Sequence, residues 1–194
     1  MKHIGSVFDD ESDLLEAILK LHAPNGIELD PMYNKGNFYK RIPKPKYRFD
    51  INPIVSDCEK ADATYLPIKD NTIQCMILDP PFMFGIHGKS DQYYSSKTHG
   101  IYKNFDELAL QYHAILLEAN RVLKPKGTLI FKCQDYTDSR TTMTHVHVFN
   151  WAMKLAFYPK DIAILHKPHG KIANHNLTQR HLRKHHTYFW VFTV

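Results

Sequence analysis

The stretch that decides the fold is QCMILDPPF, residues 74–82, in which an apolar run ends at an acid, two prolines and an aromatic ring. An uninterrupted apolar run of this length, bounded by turn residues, is typical of a buried strand. Proline fixes φ and has no N–H to donate to a sheet, so a strand cannot continue through it. The sequence therefore predicts a central strand at 72–79 whose carboxyl end presents Asp79-Pro80-Pro81-Phe82.

Helices and strands alternate on both sides of this strand. Residues 9–22 and 104–123 have apolar side chains every three or four positions, which predicts two amphipathic helices. Asn104 is a typical N-cap, with Glu107 three residues later. A third helix is predicted at 142–157. The other predicted strands are 26–29, 47–51, 61–67, 128–135, 161–167 and 187–194, the last two able to pair antiparallel. This alternation predicts an α/β layer structure.

The composition limits the class of protein. A chain of 194 residues with 43% hydrophobic residues can form one domain with a substantial core. No apolar run reaches membrane-spanning length and no secretory leader pattern opens the chain, so we expect a soluble, cytoplasmic protein. The three cysteines include no C-x-x-C pair, which argues against a disulfide framework and a zinc ribbon. His145, His147 and the His185-His186 pair lack the partners of a typical zinc site, so no metal is expected.

Basic charge is concentrated in one segment of a chain with a net charge of +5. Residues 166–186 contain lysines and arginines but no acid, whereas residues 1–30 are mainly acidic. A one-sided basic segment is typical of proteins that bind polyanions, although a solvated surface loop can have the same composition. In this segment we predict nucleic-acid contacts from Lys171, Arg180, Arg183 and Lys184.

A second long polar segment, residues 83–104, directly follows the proline motif. It interleaves basic and aromatic side chains, which suit phosphates and unstacked bases. Long loops inside compact domains are usually functional, and a surface loop without a ligand is the alternative. We predict nucleic-acid contacts from Lys89, Tyr93, Tyr94 and Lys97. Both segments are therefore candidate nucleic-acid-binding loops.

Four acids, Asp30, Asp50, Asp62 and Asp79, are expected at the ends of four successive strands on one edge of the sheet. In open α/β sheets, ligands bind beyond the carboxyl ends of the strands. A single aspartate there is a common turn residue, but four at one edge indicate a binding site. Such carboxylates can accept hydrogen bonds from ribose hydroxyls or from an amine. Gly36 would let the backbone approach a ligand closely.

The motif at the end of the central strand suits the recognition of an amine attached to a flat ring. The Asp79 carboxylate and the Pro80 carbonyl can accept two hydrogen bonds from one exocyclic NH₂ group. The prolines make the turn stiff, so this geometry is preorganised. Phe82 offers a face on which a base can stack, worth roughly 1–3 kcal/mol per base.

Asp79-Pro80-Pro81-Phe82 resembles the [D/N/S]-P-P-[Y/F/W] motif of the S-adenosylmethionine-dependent amino-methyltransferases, which act on exocyclic nitrogens, chiefly N6 of adenine in DNA. Asp30-Pro31-x-x-x-x-Gly36 is similar to the cofactor loop of that family. Asp50 falls where the family keeps an acid for the cofactor ribose, and Asp62-Ala63 where an acid contacts the cofactor adenine. Residues 121–135 and 186–192 resemble later strands of the same catalytic domain, so the resemblance extends from about residue 26 to 194.

The resemblance implies an α/β, Rossmann-like methyltransferase fold with a mostly parallel seven-stranded sheet and an antiparallel last strand. One catalytic domain is expected over 1–194. The chain departs from the family in having no separate target-recognition domain of the size that such enzymes often carry, so specificity would come from the two loops or from a partner, with a homodimer as one possibility. Both loops are expected to close over nucleic acid while the target base is flipped towards Asp79. The implied cofactor is S-adenosyl-L-methionine, bound by Asp30, Pro31, Gly36, Asp50, Asp62 and Ala63. The implied catalytic residues are Asp79, Pro80, Pro81 and Phe82. The implied reaction is the methylation of N6 of adenine, and DNA is favoured over RNA as the nucleic-acid partner.

Departures from the family pattern leave alternatives open. Asn34 stands where the family has its first glycine, and Met32 replaces the usual phenylalanine. The following stretch, residues 37–46, contains two prolines, so a full helix is not expected there. RNA adenine or a protein glutamine amide are the alternative acceptors. A catalytically silent nucleic-acid-binding module is the alternative of another class.

Overall fold

The computed structural model describes residues 3–85, 102–137, 140–167, 180–182 and 184–194. Among these residues, no helix has the length and apolar character needed to cross a bilayer. The elements in chain order are β1 (Val7–Phe8), α1 (Glu11–His22), β2 (Leu29–Asp30), a 3-10 helix (Asn37–Lys40), β3 (Tyr47–Asp50), β4 (Glu59–Lys60), β5 (Ile73–Leu78), α2 (Phe105–Val122), β6 (Leu123–Cys133), β7 (Tyr136–Thr137), β8 (Thr141–Thr142), α3 (Thr144–Lys154), β9 (Tyr158–His166) and β10 (His186–Thr193).

The main sheet has eight strands in the order β1-β9-β10-β6-β5-β2-β3-β4. Strand β10 is antiparallel to both β6 and β9, and all other neighbours in this sheet are parallel. The predicted α/β fold with an antiparallel last strand is therefore confirmed. The predicted count of seven strands is wrong, because the two-residue strand β1 adds to one edge by pairing with β9. At the other edge the outermost strand, β4, also has two residues.

Polar side chains cap the N-termini of α1 and α2, and the cap of α2 is the predicted residue Asn104. The Asp10 carboxylate accepts hydrogen bonds from the N–H groups of Ser12 and Asp13, at 2.9 and 3.0 Å, at the start of α1. The Asn104 side chain accepts one from the Glu107 N–H, at 2.9 Å, at the start of α2. These contacts satisfy N–H groups that have no partner within a helix. The predicted helices at 9–22 and 104–123 are confirmed.

Residues 37–46 and 61–67, between β2 and β5, contain little regular secondary structure. The strand predicted at 61–67 is wrong: β4 ends at Lys60, and the Asp62 carboxylate accepts hydrogen bonds from both the N–H and the hydroxyl of Thr64, at 2.8 Å each. A local side-chain contact of this kind competes with sheet pairing. The expectation for 37–46 is confirmed, since this stretch contains only the 3-10 helix at Asn37–Lys40.

The central strand β5 divides the core into two layers. Met76 and Leu78 pack with residues of α2 and α3 on one face, while Cys75 and Ile77 pack with residues of α1 on the other. All four side chains are at most 1% exposed. Side chains alternate between the faces of a strand, so a continuous apolar run matches a strand covered on both sides.

Gly36 combines a positive φ with a close neighbour, and both oppose a side chain at this position. Its φ is +70°, and a Cβ there would lie 2.5 Å from the Tyr33 hydroxyl oxygen, whereas Gly26 (φ +87°) has open space around it. We expect Gly26→Ala to lower the free energy of unfolding by about 1 kcal/mol through backbone strain. Gly36→Ala should lower it further because the Tyr33 ring must also move. Urea unfolding would measure both.

Gly5→Ala is the control, because Gly5 has no positive φ and a methyl group added there would meet no atom within 4 Å. Equal losses for Gly26→Ala and Gly36→Ala would contradict the close contact with Tyr33.

Candidate functional site

A cavity of about 700 Å³ lies beyond the carboxyl ends of β2, β3 and β5. This volume is within the range of small-molecule sites. The predicted site residues that line it are Pro31, Asp50, Asp62, Ala63, Asp79, Pro80, Pro81 and Phe82. The parallel strands thus bring together residues that are up to 51 positions apart in the sequence.

Asp79, directly after β5, forms an ion pair in the wall of the cavity. Its Oδ2 accepts a hydrogen bond from the Lys132 Nζ at 3.0 Å. The same Nζ lies 3.0 Å from Oε1 of Glu11, the first residue of α1. Burial raises the pKa of Asp79 above its ordinary value, and the Lys132 ammonium opposes that rise.

Lys132 and Glu11 both line the cavity, and the sequence analysis missed both. Lys132 follows the buried run Leu129-Ile130-Phe131 in β6, and its side chain is 18% exposed. A lysine is almost never buried without a partner, so its place inside an apolar strand was a usable signal for a nearby acid. Its Nζ also lies 4.8 Å from the ring centroid of Phe38 and 5.6 Å from that of Phe189.

The proline turn is fixed from the side of α2. The Tyr112 hydroxyl donates a hydrogen bond to the Pro81 carbonyl at 2.9 Å, and Tyr112 is fully buried. Two residues beyond Phe82, the buried Phe84 ring contacts the rings of Phe105 and Tyr136, with centroids 5.7 and 4.7 Å apart. Phe84 therefore anchors the turn in the core, while Phe82 remains at the cavity wall.

The two ends of the long segment after the motif meet beside the cavity. The Gly85 N–H donates to the Tyr102 carbonyl at 3.0 Å, and the Tyr102 N–H donates to the Met83 carbonyl at 3.1 Å. Tyr102 itself lines the cavity. Gly85 and Tyr102, the described residues on either side of 86–101, thus lie beside the candidate site. Lys89, Tyr93, Tyr94 and Lys97 lie outside the described residues, so their nucleic-acid contacts stay predictions.

Asp50, at the end of β3, is held by two loops. Its carboxylate accepts hydrogen bonds from the N–H groups of Asn34 and Asn52, at 2.9 Å each. Asn34 has a φ of +50°, in the left-handed region that asparagine tolerates. A carboxylate accepts several hydrogen bonds, so these contacts orient Asp50 without preventing contact with a ligand.

The loop that carries Asp62 and Ala63 is attached to α2. Oε1 of the buried Glu118 accepts a hydrogen bond from the Leu66 N–H at 2.6 Å, and Arg121 pairs with the same carboxylate. Arg121 also donates to the carbonyls of Ile68 and Leu66. Glu118 and Arg121 together fix the position of the loop, and therefore the position of Asp62 at the cavity.

Asp30 and Gly36 are absent from the residues that line the cavity. The Asp30 carboxylate is buried and accepts hydrogen bonds from the Met32 N–H at 2.9 Å and the Tyr39 hydroxyl at 2.7 Å. Burial raises the pKa of Asp30 to about 7, with smaller contributions from Asp79 and Asp50. Asp30 and Gly36 therefore shape the loop after β2, and a direct contact with a cofactor stays a prediction.

The basic segment contributes few described residues to the site. Arg180 is exposed, and the Lys184 carbonyl accepts a hydrogen bond from Nε2 of Gln134 at 3.3 Å. Gln134 lines the cavity, so the chain at Lys184 passes close to it. Lys171 and Arg183 lie outside the described residues. Nucleic-acid binding by this segment stays a prediction.

The histidines considered for a metal site have other partners. Nδ1 of His145 lies 2.7 Å from Oδ1 of the buried Asp135, and the His145 ring stacks on Tyr188 with centroids 4.1 Å apart. His147 packs against the rings of Phe105 and Trp151. In the part of the chain that the structure describes, no group of three or more His, Cys, Asp or Glu residues is arranged to hold a metal ion.

The raised pKa of Asp30 predicts how stability depends on pH. Between pH 3.8 and about 7 the folded protein binds a proton at Asp30 more tightly than the unfolded chain does. The contribution of Asp30 to the free energy of unfolding is therefore lost as the pH rises through this window. Asparagine does not titrate, so the Asp30→Asn variant does not lose this contribution. We expect its free energy of unfolding, relative to that of the wild type, to rise by up to about 1.4 kcal/mol per pH unit within this window.

Urea unfolding of both proteins at pH 5, 6, 7 and 8 would measure this difference. Asp106→Asn, a change at an exposed acid in the first turn of α2, is the control. A difference between Asp30→Asn and the wild type that stays constant with pH would contradict the raised pKa.

Comparisons with known proteins give structural matches only. No protein-family model and no curated protein sequence matches the chain. A structure of TTHA0409 from Thermus thermophilus, provisionally described as a DNA modification methylase, matches with 14% identity and a TM-score of 0.49, covering 76% of this chain and 53% of that one. The chain thus spans about half the length of TTHA0409.

Several matches cover more than nine tenths of the chain, among them proteins from Thermotoga maritima and Archaeoglobus fulgidus. TM1293 from Thermotoga maritima, described as an S-adenosylmethionine-dependent methyltransferase and a possible histamine N-methyltransferase, is 15% identical, with a TM-score of 0.53 and coverage of 92% of this chain and 86% of that one. An S-adenosylmethionine-dependent methyltransferase from Archaeoglobus fulgidus is 13% identical, with a TM-score of 0.51 and coverage of 94% of each chain. The protein therefore has the Rossmann-like fold of the S-adenosylmethionine-dependent methyltransferases.

Proposed function

We propose that the protein transfers a methyl group from S-adenosylmethionine to the exocyclic amine of a nucleobase, N6 of adenine in DNA. The observation that carries this proposal is the shared cavity: Asp79-Pro80-Pro81-Phe82 lines the same space as Asp50 and Asp62-Ala63. One part of the wall suits an amine on a flat ring. The other offers carboxylates of the kind that bind nucleoside cofactors at the carboxyl edge of a sheet.

The chemistry of the cavity wall fits S-adenosylmethionine. Asp50 is placed to accept hydrogen bonds from ribose hydroxyls, because its backbone contacts fix it at the wall. Asp62 and Ala63 offer an acceptor and a small apolar surface to an adenine ring. When bound, the cofactor supplies a methyl group on a positively charged sulfur, which the acids around the cavity favour electrostatically.

The residues of the motif orient the acceptor. Asp79 accepts a hydrogen bond from one N–H of the amine, and the Pro80 carbonyl accepts one from the other. The lone pair of the amine nitrogen then points out of the plane of the ring. Phe82 stacks on the base, and Tyr112 holds the turn through the Pro81 carbonyl. The cofactor would supply its methyl group to the nitrogen that Asp79 and Pro80 orient, and Asp79 or water would take the proton that this nitrogen loses. Positioning therefore supplies the rate enhancement.

Basic residues outside the cavity support a nucleic-acid substrate. The Lys184 carbonyl accepts a hydrogen bond from Gln134 at the cavity wall, and Arg180 is exposed. Contacts between cations and phosphates do not distinguish the DNA backbone from that of RNA. The test therefore includes both polymers.

The decisive experiment is methyl transfer from isotope-labelled S-adenosylmethionine to separate pools of unmethylated DNA and RNA, followed by identification of the labelled nucleosides by mass. We expect N6-methyladenine in DNA. Asp79→Ala should reduce its formation by at least about 100-fold, since a preorganised polar group of this kind contributes roughly that much. Asp57→Ala, at an exposed acid that pairs with Lys44 outside the cavity, should have no such effect.

Cofactor binding, measured by calorimetry or thermal shift, completes the test. A ligand at 100 times its Kd stabilises the folded state by about 2.7 kcal/mol. Label in RNA alone would move the substrate to RNA. Cofactor binding without label in either pool would move it to a protein amide or a complex with a partner, and no cofactor binding would favour the silent nucleic-acid-binding module.

A further inference from the structure

We propose that Lys132 is a positioning residue that keeps the Asp79 carboxylate ionised and oriented towards the amine, and that Glu11 weakens this hold by competing for the same ammonium. The inference rests on the proposed function, because it describes how the Asp79 site is tuned. It assigns a role to two residues that the amine-binding motif itself does not include.

The geometry links three separate elements through one cation. Lys132 on β6 contacts Oδ2 of Asp79 at the end of β5 and Oε1 of Glu11 at the start of α1, both at 3.0 Å. Among the described residues, Lys132 is the one that hydrogen-bonds to the Asp79 side chain. The contact occupies Oδ2, which leaves Oδ1 as the oxygen that can accept the amine.

The surroundings of Lys132 restrict where its ammonium can go. The rings of Phe38 and Phe189 lie within 6 Å of its Nζ, and aromatic faces attract cations at this distance. The side chain is 18% exposed, so leaving the cavity would cost both ion pairs and the ring contacts. Lys132 therefore acts as a fixed charge beside Asp79 rather than as a mobile surface lysine.

The charges that face Asp79 explain why such a residue is needed. Burial raises the pKa of Asp79, and so does the charge of Glu11. The charges of Lys132 and of Lys167, which also lines the cavity, lower the same pKa. The other titratable neighbours, Asp30, Tyr112 and Cys133, bring no positive charge. A protonated Asp79 would present an O–H donor to the amine on one oxygen and a weaker acceptor on the other. Loss of Lys132 therefore favours the form of Asp79 that holds the amine poorly.

Opposite pH shifts are the signature of this arrangement. Methyl transfer should rise with pH as Asp79 ionises. In Lys132→Met this rise should move to higher pH, with an activity loss of about 10-fold at neutral pH, the size expected when one hydrogen bond to a charged group is lost. In Glu11→Gln the rise should move to lower pH, because Lys132 then pairs with Asp79 alone. A role limited to packing would not move the two variants in opposite directions.

A titration that needs neither cofactor nor substrate separates this inference from the proposed function. The protein would carry aspartate labelled with ¹³C at the carboxyl carbon, and NMR would follow the Asp79 signal, assigned with Asp79→Asn, against pH. We expect the midpoint to rise in Lys132→Met and to fall in Glu11→Gln. Lys124→Met, at an exposed position of the same strand, is the matched control and should leave it unchanged.

Each result has a defined meaning. An Asp79 midpoint that is the same in the wild type, Lys132→Met and Glu11→Gln would overturn the inference, as would shifts in the same direction. If Lys132→Met does not fold, Lys132→Arg keeps the charge and should keep a midpoint near that of the wild type, while Glu11→Gln still lowers it. If both variants show the expected shifts but the wild-type protein transfers no methyl group, the proposed function is overturned and the inference about the Asp79 charge stands.

Discussion

Three aspartates lie at the edge where the parallel strands of this sheet end, and the contacts that compensate their charges connect the elements around that edge. Parallel pairing of β2, β3 and β5 sends Asp30, Asp50 and Asp79 to the same edge, where burial of carboxylates is costly. Each acid is compensated differently. Asp50 accepts two backbone N–H groups, Asp30 accepts an N–H and the Tyr39 hydroxyl, and Asp79 pairs with Lys132. The loops, the helix α1 and strand β6 are therefore tied together through the candidate site.

The sequence predicts most of the fold because the long elements have strong local signals. Helices α1 and α2 combine an apolar period with capping residues, and the prolines after Asp79 define the end of β5. Short elements have no such signal: β1 has two residues, and its pairing with β9 depends on contacts far apart in the chain. The apolar residues near Ala61–Leu66 suggested a strand, but they pack beneath a turn that the Asp62 side chain stabilises.

The site was predictable to the extent that it consists of strand ends. Asp50, Asp62 and the proline motif reach one cavity because parallel strands end at one edge. What could not be predicted is which oxygen of each acid has a partner. The burial of Asp30 depends on Tyr39, which a 3-10 helix turns back onto it, and the partner of Asp79 comes from a strand 53 residues later in the chain. These pairings follow from packing in three dimensions, which no local pattern encodes.

The shortness of the two outer strands has a consequence for association between molecules. The central strands β5, β6, β9 and β10 are apolar enough to form intermolecular sheets if their edges were open. They are flanked instead by β1 (Val7–Phe8) and by β4 (Glu59–Lys60), whose two charged residues are exposed. The β4 edge offers few N–H and C=O groups to another chain, and its charge makes pairing costlier. Strand β1 covers two of the nine residues of β9, Ile164 and Leu165. The resistance to edge-to-edge association is therefore expected at β4 more than at β9.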